Sequence, residues 1–385
     1  MQLARSLISS LRFGGFPLAA ASQFSDISKS EPLKIILLES PEDPANEPLR
    51  KSPNLNILHS FTSRSSISDL SSIEKDSLAD ATAIFCSNTL EEDSQLISDV
   101  LTSLPAVSAS VKWIHARSAG VEHLLTHDFM STSPSPNLPL INHKSILTNA
   151  RGSFSSTLAE YCMGAVFYFE KDLPRLFKNK TDKNYDRFHV GEIKGKKLGI
   201  VGYGDIGRAC GRLARFGYGM EVSALKRTKT LADGDAKILE NGTVYSNSQA
   251  DVNKLMANSD YVLVAAPLTP QTRNLINEEA LSHAKSNCVL INLGRGPIVD
   301  EAALIKALQS GQLKGAALDV FDVEPLPPSN PLWSLPNVFL SPHNMDMTKT
   351  FTIEASEDFV DRILPIWQTK GNQIDTNLVD KSRGY

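Results

Sequence analysis

Short apolar runs alternate with polar stretches along most of the chain. Lys34-Ile35-Ile36-Leu37-Leu38 runs into a Pro-rich loop over 41–53 and predicts a buried strand. Ala83-Ile84-Phe85-Cys86 follows a polar helical stretch and predicts another. Strand, helix, strand in this rhythm argues for parallel α/β architecture. Ser131-Thr132-Ser133-Pro134-Ser135-Pro136 is a loop by composition. Residues 155–169 predict a helix with Leu158, Cys162, Ala165 and Val166 on one face, at i, i+4, i+7 and i+8. A second α/β series then begins. It has strands at 197–201, 221–225, 261–265, 288–291 and 315–318, and helices at 205–216 and 301–309. Residues 351–364 read as a final helix that Pro365 stops or kinks. No internal repeat of solenoid length is present.

The length, 385 residues, suits two or three domains at about 150 residues each. With 41% hydrophobic and 21% charged residues, 22 Gly and 21 Pro, the chain is neither collagen, coiled coil nor wholly disordered. Lys plus Arg is 39 and Asp plus Glu is 43, a net charge of −4, so bulk electrostatics gives no reason to seek nucleic acid. No uncharged apolar run reaches the roughly 18 residues of a membrane helix. Cys86, Cys162, Cys210 and Cys288 have neither disulfide nor zinc spacing. They suit a reducing compartment and the role of small buried apolar residues. His123 and His127 lie four apart without a third ligand, so no metal site is predicted.

Residues 1–33 differ from the rest. Arg5 and Arg12 are the only charges before Asp26, and serines are frequent. That is the composition of a transit peptide for a mitochondrion or plastid. Read instead as a disordered extension without an address, it leaves the protein cytoplasmic. Arg12 interrupts the apolar stretch and argues against a secretory signal, and Ser382-Arg383-Gly384-Tyr385 is not a peroxisomal ending.

The strongest local signal is Gly202-Tyr203-Gly204-Asp205-Ile206-Gly207, with a predicted strand before it and a helix after it. That is the context a dinucleotide-binding turn requires. Gly202 permits the tight turn, Gly204 lets a pyrophosphate approach the backbone, and Gly207 lets helix and strand pack closely. The helix opening at Asp205 and Ile206 offers unpaired N–H groups to phosphates. An NAD site carries an acidic residue at the end of the next strand. Here Leu225 is followed by Lys226, Arg227, Thr228 and Lys229. Cations with a hydroxyl among them suit a 2′-phosphate, so the sequence favours NADP, with NAD the alternative. A solvated basic turn is the plainer reading of the same residues.

Three later segments carry candidate chemistry: Asn292-Leu293-Gly294-Arg295-Gly296-Pro297, Leu318-Asp319-Val320-Phe321-Asp322-Val323-Glu324-Pro325, and Leu340-Ser341-Pro342-His343. Together with the glycine motif, in this order, they resemble the D-isomer-specific 2-hydroxyacid dehydrogenases. The resemblance runs from about residue 34 to the end. It includes Trp113-Ile114-His115-Ala116-Arg117-Ser118-Ala119-Gly120-Val121 and Pro267-Leu268-Thr269-Pro270-Gln271-Thr272-Arg273. Singly, an arginine is usually a surface charge and a histidine a satisfied core residue; four ordered motifs outweigh that.

The resemblance implies a small-molecule 2-oxo or 2-hydroxy acid as substrate. Arg295 matches the family arginine, whose planar fork can hold carboxylate and carbonyl oxygen together. His343 matches the general acid, suited to donating a proton in one direction and accepting it in the other. Glu324 matches the carboxylate that pairs with that histidine and fixes its tautomer. The backbone N–H groups of Ser118, Ala119 and Gly120 match the loop that receives the substrate carboxylate. Asp319 matches the residue that orients the nicotinamide carboxamide, and Pro267, Thr272 and Gly294 lie in motifs that meet the cofactor.

The implied fold is two Rossmann-like α/β domains with parallel sheets flanked by helices. A substrate domain over 34–150 precedes a dinucleotide-binding domain over 151–344, and 345–385 returns to the first. The active site is expected in the cleft between them, the extra regulatory domain of some phosphoglycerate dehydrogenases has no room, and the family implies a homodimer joined through cofactor domains. Two departures stand out. After His343 the family commonly has small residues, whereas Met345 and Asp346 here would crowd or charge the nicotinamide side. Gly294 stands where Ala or Ser is common. The expected activity is NADPH-dependent reduction of a small 2-oxo acid such as glyoxylate or hydroxypyruvate. One rival is a non-enzymatic dinucleotide-binding regulator of the corepressor type. Another is formate oxidation, whose enzymes pair the histidine with glutamine.

Overall fold

The structure, a computed structural model, describes residues 31–385 except 63–66, 68–69, 87–90, 126–139, 141–142, 228–230, 232, 241 and 384. The transit-peptide reading therefore falls almost wholly outside the described residues, as does Thr228. The chain divides into two compact units, Met1–Ser153 with Thr352–Gly384, and Phe154–Phe351 with Tyr385.

The first unit is built on β1 (Leu33–Leu38), β2 (Leu55–Ser60), β3 (Ala83–Cys86), β4 (Trp113–Ala116) and β5 (Ile146–Asn149). They form a parallel sheet in the order β2-β1-β3-β4-β5. Strand side chains alternate between faces, so the unbroken apolar run of β1 feeds two cores. Ile36 and Leu38 join Ile84, Ile114 and Leu147 on one side. Ile35 and Leu37 join Phe85 and Trp113 on the other. That second core is closed by the C-terminal return: Trp367 stacks on Trp113 with ring centroids 4.6 Å apart, and Phe359 meets Phe85 edge-on at 5.0 Å. Pro365 does not stop this last helix. The helix widens by one turn over Phe359–Ile363 and continues through Pro365 as Leu364–Lys370. The return begins at Thr352; residues 345–351 stay with the second unit, Met345 packing against its core.

The second unit opens with α1 (Ser155–Glu170), which buries Leu158, Cys162, Ala165 and Val166, and α2 (Leu173–Thr181). Its sheet comprises β6 (Lys197–Val201), β7 (Glu221–Leu225), β8 (Val244–Tyr245), β9 (Tyr261–Val264), β10 (Val289–Asn292), β11 (Gly315–Leu318) and β12 (Val338–Leu340). All pairs are parallel, in the order β12-β11-β10-β9-β6-β7-β8. The helix after β6, α3 (Asp205–Arg212), gives way to a wider turn at Leu213–Gly217, short of the regular helix expected to 216. The strand order reverses between β6 and β9. Open parallel sheets bind ligands at such a switch point, beyond the carboxyl ends of the strands. Every motif singled out in this unit follows a strand there: 202–207 after β6, 267–272 after β9, 294–296 after β10, 319–324 after β11 and 341–343 after β12. Among the described residues no helix is long and apolar enough to cross a membrane.

Candidate active site

Gly202 has φ +93°, and a Cβ there would stand 2.5 Å from the backbone nitrogen of Ala266, so only glycine lets the loop after β6 lie on the loop after β9. Its N–H donates to Leu225 O at 3.2 Å, tying the turn to the end of β7. Gly204 caps α3, and no atom lies within 4 Å of where its Cβ would be. A bare backbone face at a helix N-terminus is what a pyrophosphate needs. Gly207 packs on the Gly202 carbonyl, Ile206 packs against the core, and Asp205 sits 3.8 Å from Arg208 Nη1. Tyr203, inside the motif, has a buried hydroxyl without a partner among the described residues.

The basic segment after β7 is organised by a residue that sequence reasoning missed. Asp235 is wholly buried, accepts from Arg208 Nε at 2.8 Å and lies 3.9 Å from Lys226 Nζ. It follows Gly234 in a polar stretch that carries no local signal of burial. Lys226 is thus committed partly to a carboxylate rather than wholly available to a phosphate. Arg227 is exposed; its Nη1 donates to the Tyr385 hydroxyl, and its guanidinium stands 5.6 Å from that ring's centre. In the loop after β9, Thr272 Oγ1 donates to Pro267 O at 2.7 Å and accepts from Thr269 N at 2.8 Å. Its hydroxyl thus shapes the loop that carries Pro267.

The loops after β10, β11 and β12 carry Arg295, Glu324 and His343 in turn. Asn292, buried at the end of β10, donates from Nδ2 to Arg295 O at 3.1 Å and accepts from Gly294 N at 3.1 Å, folding the turn over itself. Arg295 Nη1 donates to Gly294 O at 2.9 Å. A Cβ on Gly296 would collide with the Phe321 carbonyl, so this loop lies directly on the one that carries Glu324. Glu324 Oε1 accepts from Phe321 N at 2.9 Å, and Oε2 accepts from His343 Nδ1 at 2.7 Å.

His343 has φ +51°, a left-handed backbone that costs a non-glycine residue about 1 kcal/mol or more. Asp319 brackets it. Asp319 Oδ1 accepts from Asn344 N at 3.1 Å and lies 2.7 Å from Ser341 Oγ, itself 3.1 Å from the Tyr161 hydroxyl. That oxygen of Asp319 therefore holds the His343 loop.

The electrostatics follow from the geometry. The hydrogen bond to Glu324, and then its charge, raise the His343 imidazole above its ordinary value, against burial and the Arg295 charge. Burial alone would raise Glu324, but the bond and charge of His343, the Phe321 amide and Arg295 hold its carboxyl below the usual range. Burial raises Asp346, opposed by the charge of His343. Glu324 and His343 therefore form one hydrogen-bonded pair within electrostatic reach of Arg295, with the Glu324–Nδ1 bond leaving Nε2 as the other ring nitrogen.

In the first unit the Ser118–Gly120 turn follows β4. Ser118 Oγ donates to Gly120 O at 2.7 Å, and Arg117, 3% exposed, is held by Glu39 at 2.9 Å.

Residues 163–344 match the family described as D-isomer specific 2-hydroxyacid dehydrogenase, NAD binding domain. A glyoxylate reductase of Thermofilum pendens is 32% identical over 296 residues, which cover 73% of this chain and 75% of that protein. The chain belongs to the D-isomer specific 2-hydroxyacid dehydrogenases. A glyoxylate/hydroxypyruvate reductase B of Serratia proteamaculans is 39% identical over 192 residues, 49% of this chain and 57% of that protein. The chain thus spans only a little over half the length of this relative. A crystal structure of a D-isomer specific 2-hydroxyacid dehydrogenase from Xanthobacter autotrophicus in complex with NADPH and MES superimposes with a TM-score of 0.70 at 25% identity, covering 91% of this chain and 99% of that one.

Within this family the two departures acquire physical reasons. A Cβ on Gly294 would stand 2.8 Å from Ala266 O, so the approach of the loop after β9 selects glycine. Met345, which the sequence places on the nicotinamide side, is half-buried and packs against the apolar core of its unit. Asp346 remains half-buried within electrostatic reach of His343 and Arg295.

Proposed function

We propose that this 2-hydroxyacid dehydrogenase is an NADPH-dependent reductase of small 2-oxo acids, with glyoxylate and hydroxypyruvate foremost. The observation that carries the reading is the His343 Nδ1–Glu324 contact of 2.7 Å, with the Arg295 charge acting on both groups. The names of the relatives and the NADPH in the Xanthobacter protein support it. The amides and glycines of 202–207 would hold the pyrophosphate, Arg227 and Thr228 the 2′-phosphate, and Pro267, Gly294 and Asp319 the nicotinamide end. Bound there, NADPH supplies the hydride.

The chain's own residues supply the rest. Arg295 neutralises the substrate carboxylate and stabilises the charge that grows on the carbonyl oxygen. The Ser118–Gly120 amides take the carboxylate. Glu324 keeps Nδ1 of His343 protonated, so Nε2 is the nitrogen that gives its proton to the oxygen. Glu324 also disfavours formate oxidation as a reading, and the intact Arg295, Glu324 and His343 argue against a mere regulator. Cofactor oxidation followed by absorbance, with glyoxylate, hydroxypyruvate and longer 2-oxo acids, tests the proposal; no oxidation with any of them refutes it.

Cofactor choice has a sharper test. Because Lys226 is shared with Asp235, the 2′-phosphate falls chiefly to Arg227. Arg227→Ala is expected to weaken NADPH binding by about 10- to 100-fold, the loss of a charge-assisted bond, and to leave NADH within about threefold. Fluorescence titration with both nucleotides checks it; equal losses would remove Arg227 from specificity.

A homodimer completes the proposal. Helix α2 presents Leu176 and Phe177 yet buries none of its residues. Phe177 is 59% and Tyr185 93% exposed, with Phe167 and Val190 also open to solvent. Apolar side chains gathered in one stretch mark an association surface. Phe177→Glu is expected to yield monomers in light scattering while preserving NADPH affinity.

A further inference from the structure

Asn377 lies in the C-terminal return, 5% exposed, with a left-handed φ of +53°. Its Nδ2 donates to Asn149 O at 2.7 Å and to Arg151 O at 2.8 Å. Its Oδ1 accepts from Arg362 Nη1 at 3.2 Å, and its backbone carbonyl accepts from Asn149 N at 3.1 Å. Arg362 is fixed in turn by Asp358, which also takes the Ser153 hydroxyl at 3.1 Å. One side chain thus clamps the segment that begins at the end of β5.

That segment grips the Ser118–Gly120 turn. Asn149 Nδ2 donates to Ala119 O at 2.6 Å, and Ala150 N donates to Ser118 O at 3.0 Å. In a trans peptide the C=O and N–H point in opposite directions. Pinning the carbonyls of Ser118 and Ala119 toward 149–150 therefore turns the N–H groups of Ala119 and Gly120 away from it. Among the described residues neither amide has a hydrogen-bond acceptor. Successive N–H groups so presented form a concave anion site.

We infer that Asn377 is a positioning residue for the substrate carboxylate. Through Asn149 it holds the 118–120 backbone with the Ala119 and Gly120 amides presented to the anion. The inference rests on the proposed reading of that turn as the carboxylate site. It touches neither the substrate nor the reacting atoms.

Asn377→Asp keeps the size and the tolerance of left-handed backbone but removes both Nδ2 donors; Asn377→Gly keeps only the backbone. Both are expected to raise KM for the 2-oxo acid about tenfold, the loss of one ordinary hydrogen bond, with kcat and the Kd for NADPH within about twofold. The Kd for oxamate, an unreactive analogue, should weaken in the NADPH-loaded protein by the same factor. A loss confined to kcat, or unchanged KM and oxamate Kd, overturns the assignment. Wild-type protein that reduces no 2-oxo acid would sink the proposed function instead. Crystal structures of the two variants separate the cases. A rotated Ala119 carbonyl supports the positioning role, and an unmoved 118–120 backbone refutes it whatever the activity.

Discussion

Replacing His343 with alanine lowers kcat for 2-oxo acid reduction by about 10²- to 10⁴-fold, the usual contribution of a positioned general acid, and leaves NADPH affinity unchanged. The side chain holds Glu324 through Nδ1 and contributes nothing to the glycine turn, so chemistry and cofactor binding separate. The pH profile carries the same signature. Glu324 raises the imidazole above its ordinary 6.5, so the protonated donor persists to higher pH than in an isolated imidazole. Reduction is therefore flat on the acid side and falls as pH rises through the raised pKa; oxidation of the hydroxy acid, which needs the neutral ring, shows the reverse limb. Glu324→Gln keeps a hydrogen-bond partner but removes the charge, and the alkaline limb moves down in pH. Stopped-flow or steady-state rates across pH 5–10 decide the matter. Undiminished turnover in His343→Ala would strike the imidazole from the mechanism.

Arg295→Gln should cut kcat by about 10²- to 10³-fold, as removal of a donor at a developing oxyanion does, and raise KM as well, since the same group meets the carboxylate. Arg295→Lys retains charge without the planar fork and falls between the two. A second readout is independent of substrate binding. The Arg295 charge lowers the His343 pKa, so Arg295→Gln moves the alkaline limb of reduction upward, opposite to Glu324→Gln. Nuclear magnetic resonance titration of His343 in both variants measures this directly. Shifts of the same sign in the two would contradict the clustered arrangement.

Much of this was legible in the chain itself. The runs at 197–201, 221–225 and 315–318 are strands to the residue: β11 is buried at every position and β6 at all but Lys197, as central parallel strands are, while β7 alternates, with Glu221 and Ser223 half-buried. Strands β2, β5 and β8 were not, since they are half-buried or short and carry Asn56, His59 or Thr148 among their apolar positions. Arg295, Glu324 and His343 were found through ordered motifs. Asp235 and Asn377 were not, because a polar residue announces burial only through partners far along the chain. Lys226 illustrates the cost: its sequence context suggested a phosphate ligand, and only the fold reveals the competing carboxylate.

The stacking of Trp367 on Trp113 carries a further consequence for biogenesis. Synthesis runs from the N-terminus, and domains generally fold as units while they emerge. Here one sheet face stays uncovered until residues 359–367 have left the ribosome, because the aromatic residues that seal it are translated after residues 154–351 of the second unit. The nascent first sheet must therefore be shielded in that interval, and a stop codon placed before residue 352 would yield a fragment prone to chaperone capture.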